Sequence, residues 1–314
     1  RFNDRLRFHS EVEYEHSVTG PNNSGEVELE QAYIDYRFND YANLRAGVML
    51  IPLGILNETH EPPTFFGVER NQVESRIIPT TWWEGGFALH GRLGEKFSYD
   101  AGVTSGFDIS RFNNGSNSAP LRRPRQKVNE AAANDLGLFG ALRFRQPGLQ
   151  IGAGVFSGNA SQGGTRGSSA VRTALKNTDA KVTLFDVHTL FSIGKLDLRA
   201  LYARGSIGDA EDVTAALRLD AANSNVKVPK RFDGWYAEAG YHVWQKGDLD
   251  LAPFVRYEQF DTQKTLPSLA GIALARDANT KDSITTFGIN FKLHPQVVLK
   301  ADYADWDKDD ARDA

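Results

Sequence analysis

Apolar and polar residues alternate along most of this chain with a period of two, the repeat of strands whose two faces meet different surroundings. In residues 6–16, Leu6, Phe8, Val12 and Tyr14 alternate with Arg7, His9, Glu11 and Glu13. Residues 27–38 continue the pattern, with the phase slipping near Gln31. Segments 44–49, 83–93 and 97–104 follow; in the second, Phe87, Leu89 and Leu93 oppose Glu84, His90 and Arg92. The same rhythm recurs in 138–145, 149–155, 182–191, 196–203, 235–243, 251–260, 285–293 and 297–306. That makes thirteen strands, each near the ~10 residues of a tilted membrane strand. Helical periodicity is rare; the best case is 209–221, a short amphipathic piece inside a connection.

The connections sort into two kinds. Short links fall near 39–40, 94–96, 146–148, 194–195, 245–247 and 294–296. Between them fall long ones, at 16–25, 51–81, 107–135, 157–180, 205–231 and 261–282. Strict alternation of short and long predicts an all-β, transmembrane antiparallel β-barrel with tight periplasmic turns and long extracellular loops. Trp82, Trp83, Tyr202, Trp235, Tyr257 and Trp306 then sit near extracellular strand ends, and Tyr36, Tyr99, Phe144, Tyr241 and Phe291 near periplasmic ends, as two aromatic girdles. Single-chain bacterial barrels have even strand numbers. Fourteen strands are therefore expected, or sixteen if one escapes the pattern. The chain 1–314 reads as one barrel domain whose returning closing strand is expected beyond the final DKDDARDA.

Composition narrows the alternatives. The longest apolar run, 46–56, has eleven residues, against the ~20 of a spanning helix. A net charge of −4 argues against a nucleic-acid partner. Without cysteine there is no disulfide, zinc-thiolate site or cysteine nucleophile. RFNDRLRFHS lacks the apolar core of a signal peptide, so an exported protein would be represented here in mature form or as a fragment. His9, His90, His188 and His242 read as inward-facing and His16 as lying at a strand end, with no HExxH motif or nucleophile elbow, so no enzyme and no cofactor is expected. Asp305, Asp307, Asp309 and Asp310 lack the Gly and Glu of a calcium loop, and no metal site is expected.

With apolar faces toward lipid, the opposite faces line the interior. They carry Arg7, Arg45, Arg92, Arg143, Arg145, Arg199, Arg256, Lys292 and Lys300 among acids such as Glu11, Glu13, Glu84, Asp100, Glu238 and Asp302. Mixed signs suit a water-filled channel, or salt bridges that stiffen the wall. In 107–135, Arg122, Arg123, Arg125 and Lys127 could draw anions, contact lipopolysaccharide phosphates, or simply hydrate. The longest connection holds NETHEPPTFFGVERN, with Glu58, His60, Glu61, Glu69 and Arg70 around Pro62 and Pro63. A loop stiffened by two prolines and folded inward would make those five the constriction.

Five segments, NLRAGVMLIPLGILNE, RIIPTTWWEGGFALHG, RFDGWYAEAGYHVW, LAPFVRYEQFDTQ and FKLHPQVVLKADY, resemble the outer-membrane porins of the phosphate-selective porin O and P family. The resemblance implies a large barrel in the outer membrane of a Gram-negative bacterium, trimeric, passing small anions or other small hydrophilic solutes. It also implies a dense arginine ladder in phosphate-selective members, whereas the inward charges here are mixed. The alternative is a plugged structural or partner-binding barrel, whose strands would look the same.

Overall fold

A computed structural model of the chain describes residues 1–15 and 26–308. The connection 16–25 and the last residues, with His16, Asp309 and Asp310, lie outside the described residues. Along the chain run β1 (Leu6–Glu15), β2 (Glu26–Arg37), β3 (Asn43–Leu50), β4 (Trp83–Leu93), β5 (Phe97–Ser105), β6 (Leu136–Gln146), β7 (Leu149–Asn159), β8 (Lys181–Ile193), β9 (Leu196–Ile207) and β10 (Arg231–Tyr241). They are followed by β11 (Trp244–Lys246), β12 (Leu249–Thr265), β13 (Ser268–Leu269), β14 (Ile272–Ala273), β15 (Lys281–His294) and β16 (Val297–Lys308). Fourteen form one antiparallel sheet, each long strand beside its neighbours in the chain, while β13 and β14 make a separate ribbon. The thirteen long strands are those the alternation predicts; the fourteenth, β11, is a three-residue strand pairing with β12 alone.

Alternation gives the sheet its faces. Phe8, Phe87, Leu89, Leu138, Val187, Phe287, Ile289 and Leu299 are exposed on one side. Glu84, Asp100, Arg143, Asp186, Glu238, Arg256 and Glu258 are buried on the other. Such a continuous apolar outer surface needs lipid against it. Gly94 and Gly148 supply the positive φ (75° and 74°) of two short turns.

One loop shows how far the sheet curls. Segment 51–81 touches β2 through His60 and Glu30, β6 through Glu58 and Arg143, and β7 where Leu53 packs on Gly154. It also touches β10 where Phe66 packs on Gly240, β15 through Asn290, and β16 through Lys300. Strands from one end of the sheet to the other meet the same segment, so the sheet wraps around it as a barrel wall.

The interior departs from the polar lumen that alternation suggests. Its loop-filled part is an apolar core in which Leu53, Leu56, Ile77, Ile78, Phe107, Phe112, Phe156, Phe232 and Phe260 are fully or almost fully buried. Trp82 belongs to this core and not to a girdle: it is stacked on Phe107 at 4.8 Å and meets Phe156 edge-on at 4.8 Å. It follows directly on the inward segment, which draws it inside, while Trp83 is buried beneath Lys127, whose ammonium lies 4.0 Å from its ring centre. Trp235, Tyr257 and Trp306 stay on the exposed outer face, as does Tyr241 near the short-turn end. The amphipathic piece in 209–221 forms a short helix, Ala210–Leu217, its Val213, Ala216 and Leu217 buried.

Candidate functional site

The inward segment is built around one buried carboxylate. After β3 the chain turns at Pro52 and Gly54, crosses the interior, makes a 3-10 turn at Pro62–Thr64 and returns through α1, Gln72–Arg76. Asn71 caps α1 by accepting from Glu74 N at 2.8 Å. Glu74, with no exposed surface, accepts hydrogen bonds from Ile55 N (2.8 Å), Leu56 N (2.7 Å) and the Tyr236 hydroxyl (2.8 Å). The outgoing and returning arms are thereby tied to each other and to β10. Burial raises the Glu74 pKa, against the donors that lower it.

The tip docks on the far wall. Phe66 stacks on Phe254 with centroids 5.6 Å apart, and Gly240 opposite has no side chain to obstruct the ring. Arg199 donates to Thr64 O at 2.8 Å, Asn290 to Phe65 O at 3.2 Å and Lys300 to Gly67 O at 2.8 Å, while Asp302 accepts from Val68 N at 2.7 Å. Lys300 also lies 3.6 Å from the Phe65 ring centre. Arg256, 5% exposed, bridges Glu238 and Glu258. Lys292 borders only a small pocket of about 30 Å³ at this seat. Arg199, Lys300 and Arg256 therefore hold the loop and wall together in this arrangement.

Two large cavities lie on the other side of the interior, against β1–β6, one above and one below residues 58–60. The cavity toward the long loops, about 960 Å³, is lined by six glutamates, Glu11, Glu13, Glu28, Glu30, Glu61 and Glu69, against Arg70, Arg122, Arg125 and Lys127, together with His60. The cavity toward the short turns, about 480 Å³, is lined by six arginines, Arg7, Arg37, Arg45, Arg92, Arg143 and Arg145, against Asp35, Asp40, Glu58 and Asp100. The outer cavity is thus predominantly acidic and the inner one predominantly basic. Between them Arg143 bridges Glu58 and Asp100, the latter at 2.7 Å. His60 Nε2 is 2.9 Å from Glu30 Oε2. Burial lowers the His60 pKa, but the adjoining Glu30 carboxylate outweighs it and the net shift is upward.

The sixteen residues singled out from sequence distribute accordingly. Glu58, Arg45, Arg92, Arg143 and Arg145 line the inner cavity, and His60, Glu61, Glu69, Arg70, Arg122 and Arg125 the outer one. Arg123 is exposed and lines neither. Arg125 is 9% exposed and donates to the carbonyls of Pro79, Thr81 and Arg122, bracing 107–135 against the inward segment. Burial lowers its pKa to about 10. Two residues of this region went unpredicted. Glu74 lies in a loop, where no periodicity marks an inward side chain. Glu30 had a signal: β1 pairs Glu11 with Gln31 and then Val12 with Leu29, so Glu30 is the extra residue of a β-bulge, which is the phase slip near Gln31.

The family described as phosphate-selective porin O and P matches residues 1–132. An uncharacterised protein of Aquifex aeolicus is 37% identical over 323 aligned residues, covering 99% of this chain and 69% of that protein. The outer-membrane channel DcaP of Acinetobacter baumannii superposes with a TM-score of 0.59 at 13% identity, over 98% of this chain and 76% of that one. OmpF of Salmonella typhi, solved with daunomycin, gives 0.57 at 12% identity over 97% and 79%. OmpT of Vibrio cholerae in its trimer form gives 0.53 at 14% identity over 98% and 77%. At such identities the likeness is one of fold, that of an outer-membrane β-barrel.

Proposed function

The chain belongs to the phosphate-selective porin O and P family, and from that premise we propose that its inward segment 51–81 sets the width and charge of a passage along the β1–β6 wall. The protein is a channel of the Gram-negative outer membrane for small solutes rather than an enzyme. The carrying observation is that residues 58–60 separate two charged cavities while the tip beyond them is bonded to the opposite wall. A solute leaving the outer cavity must pass Glu58, His60, Arg45 and Arg143. The inner cavity's six arginines favour anions, and the acids of the outer cavity oppose them, so the proposed selectivity is a mild anion preference and not a dedicated phosphate path.

Residues 1–314 are read as one barrel domain. A homotrimer in lipid is proposed, by analogy with the trimeric OmpT, with exposed Arg123 facing lipopolysaccharide phosphate. The apolar core of the loop-filled part supports a second reading, a plugged barrel without a general channel role. Planar-bilayer recording separates the two. The channel reading expects steady conductance steps, a reversal potential shifted toward anions under a salt gradient, and larger steps after deletion of residues 58–71. No steps at any voltage would sink it, and unchanged steps in a folded deletion variant would remove the segment from control of the passage.

A further inference from the structure

We propose that Glu11, Glu30 and His60 form a binding site for a divalent transition-metal ion, of the zinc type, in the wall of the outer cavity. The site itself is independent of the channel reading; only its effect on current rests on it.

Its geometry begins with the bulge in β2. Because Glu30 is the extra residue there, Glu30 and Gln31 both turn toward β1 and the interior instead of alternating. Gln31 donates to Glu11 Oε2 at 2.5 Å, which leaves Glu11 Oε1 pointing to the imidazole, 4.0 Å from His60 Nε2. His60 comes from the inward segment. Its Nδ1 faces Asn57 O at 3.4 Å, so Nε2 is the nitrogen turned to the carboxylates. Asn57 is itself fixed, donating to Ile51 O and Trp82 O and accepting from Trp82 N. A ligand histidine oriented through its second nitrogen by a backbone carbonyl is the usual arrangement of a metal site.

The spacing fits an ion. The donor atoms of these three residues all lie within 4.8 Å of one another, and His60 Nε2 is 2.9 Å from Glu30 Oε2. Around tetrahedral zinc, with bonds of about 2.0–2.2 Å, donors stand roughly 3.3–3.6 Å apart, so the Glu30–His60 pair would open slightly and the Glu11 carboxylate would close in by well under about 1.5 Å. One imidazole with two carboxylates is also a donor set that zinc accepts, with a position left for water from the cavity.

A second observation points the same way. Glu30 is 1% exposed, and neither of its carboxylate oxygens accepts a hydrogen bond of ordinary geometry among the described residues. A carboxylate so buried needs a positive partner. Lys127, the nearest lysine, is committed to Glu28, to whose two oxygens it donates at 2.7 and 2.8 Å. Within the protein its neighbours are the His60 ring at 2.9 Å and the Glu13 carboxyl, so a proton held on His60 or shared with Glu13 is one way to satisfy it and a metal ion is the other.

Calorimetric titration of zinc chloride into the EDTA-treated, full-length protein in detergent decides between them. One zinc per chain is expected, with affinity reduced at least about tenfold by Glu30→Gln and by His60→Ala. Glu61→Gln, an acid of the same cavity outside the site, should leave it unchanged. No zinc binding by the wild type overturns the proposal, as does an equal loss in Glu61→Gln, which would mean diffuse attraction to acids. Glu11→Gln serves if Glu30→Gln does not fold, judged by heat-modifiable migration in gels. In bilayers, outer-side zinc should reduce wild-type current and spare the Glu30→Gln variant. Zinc bound in the calorimeter by a protein that conducts nothing would uphold the site and reject the channel.

Discussion

Replacing Glu74 with alanine should loosen the inward segment without unfolding the barrel. The side chain has no exposed surface and holds two backbone amides, Ile55 and Leu56, the Tyr236 hydroxyl and, at the longer distance of 3.2 Å, the Asn71 side-chain amide. Each buried donor left without its acceptor costs about 1–3 kcal/mol. Removing the carboxylate also relieves its own burial, which is what raises its pKa, so the low end applies. The three close donors then give about 3 kcal/mol, or a rise of roughly 150-fold in the opening equilibrium of the segment, and the longer Asn71 bond adds little. The strands keep their ladders, and Phe66 remains on Phe254 at the tip. Hydrogen exchange followed by mass spectrometry on peptides covering residues 51–57 measures the opening directly. Exchange there should accelerate by about two orders of magnitude, while β8 and β9 stay as slow as in the wild type, and single-channel traces should become noisier. Glu74→Gln, which keeps one acceptor oxygen, should fall between. Exchange within about threefold of wild type in a folded Glu74→Ala protein would refute the role of this carboxylate as the tie between the two arms.

Three further outcomes follow from the same geometry. Phe66→Ala should weaken docking of the tip by about 3–5 kcal/mol, and Gly240→Ala should act similarly, because a β-carbon there would fall 2.2 Å from Phe66 Cζ; limited proteolysis after Glu69 or Arg70 should speed up in both. Arg143→Gln leaves Glu58 and Asp100 without their shared cation, so the reversal potential in a salt gradient should move toward cations, and an unmoved potential would take Arg143 out of the permeation path. His242 lies 2.7 Å from Asp250 and 3.1 Å from Asp197; burial lowers its pKa, the two carboxylates outweigh that, and the net shift is upward. Its contribution to stability is therefore complete below the ordinary histidine pKa and lost as pH rises through the elevated one. The melting temperature of the wild type should fall over that interval relative to His242→Gln, and parallel curves would contradict the assignment.

What the sequence made legible is what the membrane dictates. A strand between lipid and interior must alternate, so Phe87 and Leu89 against Glu84, His90 and Arg92 announced β4 with its end residues, and the ranking of loop lengths announced which end of each strand is which. Even the bulge left a trace, as a slip of phase at Gln31, although alternation alone does not say which residue is the extra one. Inside the barrel that rule has no force. An inward position meets water, a salt bridge or a folded loop, and its own residue type does not tell which. Trp82 was read toward the membrane because aromatics gather at its interfaces, yet it stacks on Phe107 and Phe156 inside. Arg199, Arg256 and Lys300 have the same chemistry as Arg45 and Arg143, but the first three hold the loop tip and its seat with little open space beside them, while the other two line a cavity, Arg143 reaching Glu58 of the loop from there. Glu58 and Glu74 lie sixteen residues apart in one connection and serve different ends, one beside an arginine at the divide and the other buried among backbone amides. The difference is set by where Phe66 finds its seat on Gly240 and Phe254, residues 174 and 188 positions away. Contacts that distant are made by the curled wall as a whole, so the site becomes readable only once the strands have fixed which side chains face each other across the interior.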